Sequence, residues 1–244
     1  MVKLDWLNEI IERVDPNGEP HIEFIKRAEA KGSRLGVFAS SFNPVTIAHV
    51  ELMRRARDEF SLDETFALAG KTNADKTGYE CSLADRLTML MLTFNQDEHT
   101  SIGISSHAFY VDMVDALAQV YAAGTDLHFI VGFDTFVRVL DRENKYTEKY
   151  HRKFTDRADA LHYLLARSRL IVAARAGAGY RDVRALVESE PAEIRERILY
   201  LDFPDELADR SATEVRKRVR AGQSITGLVP SQVETFIHER ELYR

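Results

Sequence analysis

Short, almost continuously apolar runs alternate along this chain with helix-length amphipathic stretches, and few folds accommodate that alternation. The runs lie at 35–40, 65–69, 101–105, 127–132, 169–173 and 198–203. Two of them, LHFIV at 127–131 and LIVAA at 170–174, carry so little polar content that both faces of the strand must be covered. Between the runs, residues 107–123 set Tyr110, Val111, Val114, Leu117, Ala118 and Tyr121 on one helical stripe. Residues 47–60 do the same with Ile47, Val50, Met53, Ala56 and Phe60. The pattern predicts an α/β fold: a doubly wound, mostly parallel, Rossmann-like sheet with helices on both faces.

Composition narrows what such a sheet can serve. A net charge of −6 over 244 residues excludes a broad basic face for nucleic acid. Cys81 is the single cysteine, so no intrachain disulfide forms and a reducing compartment fits. The amphipathic, acidic N-terminus has no signal-peptide core, and no apolar run reaches membrane-spanning length. These features predict a soluble cytoplasmic protein with neither nucleic acid nor membrane as partner; a homo-oligomer is left open. Residues 1–33 read as a helical extension, one or two helices joined at Asp15-Pro16-Asn17-Gly18. The main domain covers 34–244. Within it, 141–157 is an insertion with ten charged residues of seventeen, which predicts a solvated helix or loop.

Ligands of doubly wound sheets bind beyond the carboxyl ends of the strands, and the polar clusters of this chain follow strands. The first is Ser40-Ser41-Phe42-Asn43-Pro44-Val45-Thr46-Ile47-Ala48-His49, a strand, tight loop and helix start. Thr46 and His49 share one face beside the positive end of a helix, where phosphate is favoured. The ordinary alternative is a capping threonine with a partly buried histidine. A second cluster, Lys71 to Gly78, carries two lysines, each able to reach a triphosphate as a point charge or to stand as an ordinary surface lysine. Gly132-Phe133-Asp134 ends the fourth run; the glycine allows close backbone approach, and capping is a sufficient alternative role for the aspartate. Last, Ser211 and Glu214 have capping-box spacing, with Thr213 and Arg216 in the same first turns. No G-x-G-x-x-G follows the first strand, which argues against a generic dinucleotide binder.

Together these residues resemble nucleotidyltransferases with a T/H-x-x-H signature, and among them most closely the nicotinamide and nicotinate mononucleotide adenylyltransferases. Residues 41–49 are similar to the motif S-F-N-P-x-T-x-x-H, residues 210–216 to I-S-S-T-x-x-R, and Leu228-Val229-Pro230 with Val233, Phe236 and Ile237 to a terminal L-V-P-x-x-V-x-x-Y-I segment. The likeness spans about residues 35–244. It implies AMP transfer from ATP, with Mg2+, to the 5′-phosphate of a mononucleotide, with nicotinamide mononucleotide the leading expectation, giving NAD and pyrophosphate. It implies that Thr46 and His49 contact the ATP phosphates and that Lys76, rather than Lys71, and Arg216 neutralise the leaving pyrophosphate. Ser211 and Thr213 would help hold it, and the backbone of Ala39, Ser40, Ser41 and Phe42 would approach the triphosphate. Gly132 and Asp134 would hold the adenosine side. Alternatives are transfer from CTP, another phosphorylated acceptor, or an inactive nucleotide-binding regulator. The family often stacks the pyridine on tryptophan; here Trp6 is the only tryptophan and lies outside the matched region, so Phe109, Tyr110 or Phe133 would take that role.

Overall fold

The computed structural model describes residues 5–30, 32–72, 80–175 and 178–244. Seven strands form one sheet: β1 (Ile22–Lys26), β2 (Arg34–Ser40), β3 (Glu64–Gly70), β4 (Thr100–Ser105), β5 (Asp126–Gly132), β6 (Arg169–Arg175) and β7 (Ile198–Phe203). Their order is β1-β4-β3-β2-β5-β6-β7. All neighbours are parallel except β1, which pairs antiparallel with β4.

Helices cover both faces, as the apolar runs require. The larger ones are α1 (Asp5–Arg13), α2 (Ile47–Phe60), α3 (Leu83–Phe94), α4 (Tyr110–Val120), α5 (Phe133–Leu140), α6 (Arg157–Leu165), α7 (Ala178–Glu188), α8 (Ala212–Arg220) and α9 (Ser231–Glu239). On one face Phe38, Ile130 and Ile171 pack with Met53 of α2, Leu87 and Leu90 of α3 and Val233 of α9. On the other, Val37, Phe129 and Val172 pack with Val114 of α4, Phe136 of α5 and Leu161 of α6. Successive strand residues thus feed opposite cores, the period-2 consequence of the pleat. No helix among the described residues is long and apolar enough to cross a membrane.

Residues 1–33 are not wholly helical. After α1, the stretch Ile22-Glu23-Phe24-Ile25-Lys26 is β1; its apolar and β-branched residues span too few positions for a helix, and pairing with β4 satisfies one edge of its backbone. Phe24 stacks on Phe66 of β3 at 5.0 Å.

The sheet also shapes a crevice. The direction in which successive strands are added to the sheet reverses between β2 and β5, the switch point of a doubly wound sheet. The β2–β3 ladder runs to Ser40–Ala69, but the β2–β5 ladder stops at Val37–Phe129. The last three residues of β2 and of β5 therefore part, leaving Ser40 and Gly132 on either side of an opening.

Candidate active site

Thr46 is the N-cap of α2, with extended φ and ψ of −119° and 163°. Its hydroxyl accepts the His49 N–H at 3.4 Å, and its own N–H donates to His49 Nδ1 at 3.0 Å. A histidine thus closes the reciprocal capping arrangement usually completed by Glu or Gln. The ring lies against Phe42 and Phe38 at 5.4 and 5.7 Å. Burial lowers its pKa to about 4, so it is neutral at physiological pH. With Nδ1 an acceptor, the single ring proton sits on Nε2. The cap selects the tautomer that can donate from Nε2.

The same geometry revises the role expected of the helix start. Thr46 is fully buried and its hydroxyl is occupied by the cap. The Ile47 N–H donates to Leu228 O at 2.9 Å, so the L-V-P segment closes off the first amide of α2. The N–H groups of Ile47 and His49, two of the first three in the helix, are therefore taken within the protein.

That loop is held from three directions. Phe42 is fully buried and adopts φ 46°, a left-handed conformation unfavourable for a bulky residue. Arg86 of α3 donates to Ser41 O at 2.8 Å. Arg216 of α8 donates to Asn43 O at 2.6 Å and to Thr213 Oγ1 at 3.3 Å. Its Nε lies 3.3 Å from Glu80, which also pairs with Arg220. Arg216 therefore reaches the first motif directly, as the convergence of strand ends predicts. Arg86 escaped the sequence reading because its only signal is membership of a helix whose cap, Ser82, is obvious.

The remaining expectations divide. Lys71 donates to Ile11 O at 2.7 Å and to Val14 O, capping the end of α1; it is structural. Lys76 lies outside the described residues. Ser211 caps α8 by accepting the Glu214 N–H at 3.2 Å, but Glu214 turns to Arg218 at 2.7 Å and the capping box is half formed. Ser211 and Thr213 are exposed. Gly132, not Asp134, is the N-cap of α5, and no side chain caps that helix. Asp134 is exposed in its first turn. A Cβ on Gly132 would meet nothing within 4 Å, so the fold itself does not require glycine here.

Ala39, Ser40 and Ser41 line one end of a cavity of about 270 Å³ that runs between α4, α5 and α6. Its walls include Phe109, Tyr110, Tyr146, Tyr150, Arg138 and Arg157, whereas Phe133 is not among them. Tyr110 stacks edge-on to Phe129 at 4.9 Å, and burial pushes its hydroxyl pKa upward. Tyr146 and Tyr150 belong to the charged insertion. The insertion is therefore a wall of the cavity rather than a solvated appendage: Tyr146, Thr147 and Tyr150 are buried, and Phe109 meets both tyrosines at 5.9 and 5.0 Å. A stripe of Tyr146, Tyr150 and Phe154 at four-residue spacing was the available signal, masked by the charges around it.

Three buried carboxylates fasten the insertion. Asp141 accepts from the backbone of Lys145 and Tyr146 at 2.7 and 2.9 Å and from the Thr147 hydroxyl at 3.2 Å. Asp112 of α4 accepts the His151 N–H at 3.0 Å, and burial raises its pKa to about 6. Glu190 receives Arg142 at 3.1 Å and Arg157 at 2.6 Å.

Residues 37–218 match the family model described as cytidylyltransferase-like. A probable nicotinate-nucleotide adenylyltransferase of Gemmatimonas aurantiaca is 30% identical, over 86% of this chain and 92% of its own. Another, of Geobacter sulfurreducens, is 27% identical over 86% and 98% respectively. The fold is also that of Plasmodium falciparum nicotinic acid mononucleotide adenylyltransferase complexed with NaAD, with a TM-score of 0.59 at 14% identity, covering 87% of this chain and 98% of that one. By its two end motifs, its capped histidine and these likenesses, the chain belongs to the cytidylyltransferase-like family and, within it, to the nicotinate-nucleotide adenylyltransferases, a group of nucleotidyltransferases.

Proposed function

We propose that this protein transfers AMP from ATP to the 5′-phosphate of nicotinate mononucleotide, forming the acid dinucleotide and pyrophosphate. The observation that carries the reading is one continuous edge. His49 and Arg216 stand at the β2–α2 loop, and the cavity opens from the same Ser40–Ser41 segment. The relatives' names favour the nicotinate form over the nicotinamide form. Arg138 and Arg157 in the cavity wall suit a doubly anionic acceptor.

In this reading the acceptor phosphate oxygen attacks the α-phosphorus of ATP in line. The new P–O bond forms as the bond to the β-phosphate oxygen breaks, and pyrophosphate leaves with the electron pair. No covalent intermediate on the protein is needed; orientation and charge stabilisation supply the rate. His49 Nε2–H donates to a phosphate oxygen, and Thr46 holds the ring in register. Arg216 and Lys76 meet the β- and γ-phosphates, with Ser211 and Thr213 beside them. The backbone of Ala39, Ser40, Ser41 and Phe42 lies along the triphosphate, and Gly132 and Asp134 border the adenosine. Tyr146, Tyr150 and Phe109 offer faces for the pyridine.

In this reading a divalent cation comes with the triphosphate. Bound there, Mg2+ would neutralise charge on the phosphates.

The test is pyrophosphate release with ATP or CTP and each mononucleotide. Turnover with ATP and nicotinate mononucleotide is expected. Turnover with CTP in its place, or with neither pyridine mononucleotide, would sink the proposal.

A further inference from the structure

Tyr243 is the penultimate residue, yet it is only 4% exposed. Its hydroxyl donates to Asn43 Oδ1 at 2.8 Å, and the Cys81 thiol donates to the same oxygen at 3.0 Å. Burial raises the Cys81 pKa, which keeps it a donor. Two donors on one buried carbonyl fix the orientation of the Asn43 amide. A phenyl ring would fill the same space without doing so.

The tail that delivers Tyr243 is itself fastened. Glu241 and Tyr243 adopt φ of 52° and 64°, conformations that side-chain-bearing residues hold only where contacts impose them. The Leu242 N–H donates to Ile237 O at 3.0 Å, and Arg240 pairs with the buried Asp85 at 3.2 Å. Asn43 in turn carries the carbonyl that receives Arg216 and stands three residues before Thr46. Asn43 thus joins the C-terminal segment and the segment before α3 through its side chain, and the arginine of α8 through its backbone, to the turn that sets His49.

We propose that Tyr243 is a positioning residue which, through Asn43, holds Arg216 and the Ser41–Thr46 turn in the geometry that receives the ATP phosphates. The proposal rests on the ATP reading above, and its test separates the two. Tyr243→Phe removes one oxygen and keeps the ring. In nucleotide-free protein, amide hydrogens in the peptide spanning 38–49 should exchange about tenfold faster, while those of 127–132 stay unchanged. KM for ATP should rise about tenfold with KM for the acceptor unmoved. In an Arg216→Ala background the same change should add less than about twofold, because the group it positions is gone.

Unchanged exchange at 38–49, faster exchange throughout the chain, or additive effects of the two substitutions would each overturn the proposal. Should the wild-type protein turn over no mononucleotide, the ATP reading fails, while the exchange comparison still decides whether Tyr243 holds the turn.

Discussion

The two halves of the proposed site are built differently. The nucleotide half is made from strand ends and helix starts, where capping, a tight turn and an arginine one helix away hold His49. The acceptor half is made from an insertion whose tyrosines enter the cavity while most of its charges face outward, fastened by the buried carboxylates of Asp112 and Asp141. The first starts from a local cap, which Arg216 and Leu228 then reach from the far end of the chain. The second depends on contacts between segments tens of residues apart. Loss of function should therefore divide cleanly by substrate.

The largest effect is expected at His49. His49→Ala removes the Nε2 donor and should lower kcat by about a hundredfold to a thousandfold, with the fold retained although the bond to Thr46 and the packing on Phe38 and Phe42 are lost. Near-normal turnover in the folded variant would break the division at its strongest point.

Next comes stability against pH, where the halves should oppose each other. The His49 pKa falls from 6.5 to about 4 on folding, so between those values the unfolded chain holds more protons and stability drops as pH falls. The Asp112 pKa rises from 3.8 to about 6, so the folded chain holds more protons and stability drops as pH rises. Each contributes up to about 3 kcal/mol across its window. Denaturation between pH 4 and 6.5 should show stability climbing more steeply with pH in Asp112→Asn than in wild type, and less steeply in His49→Asn. Identical slopes in all three proteins would remove the opposition.

The smallest effect belongs to the cavity wall. Tyr150→Ala should raise the acceptor KM roughly tenfold while leaving the ATP KM within about twofold. Equal effects on both constants would merge the two halves.

The same contrast explains what was legible beforehand. Six of seven strands stand within about two residues of their expected bounds, because buried parallel strands announce themselves as apolar runs. Thr46, His49 and Arg216 were legible because helix starts carry a local grammar. β1 was missed, since HIEFIK is short and its partner lies about 80 residues away. Tyr146 and Tyr150 were hidden by neighbouring charges. The Asn43–Tyr243 bond joins residues 200 positions apart, and no local pattern encodes such a pair. Lys71 shows the converse: a lysine well placed for phosphate in the sequence spends its ammonium on capping α1.

One measurement reaches the central claim without a variant. ATP labelled at the α-phosphate, incubated with nicotinate mononucleotide and magnesium, should pass its label into the dinucleotide, while label at the γ-phosphate should appear in pyrophosphate. Label from the γ position in an acceptor product, or α-label that never leaves ATP, would contradict the account.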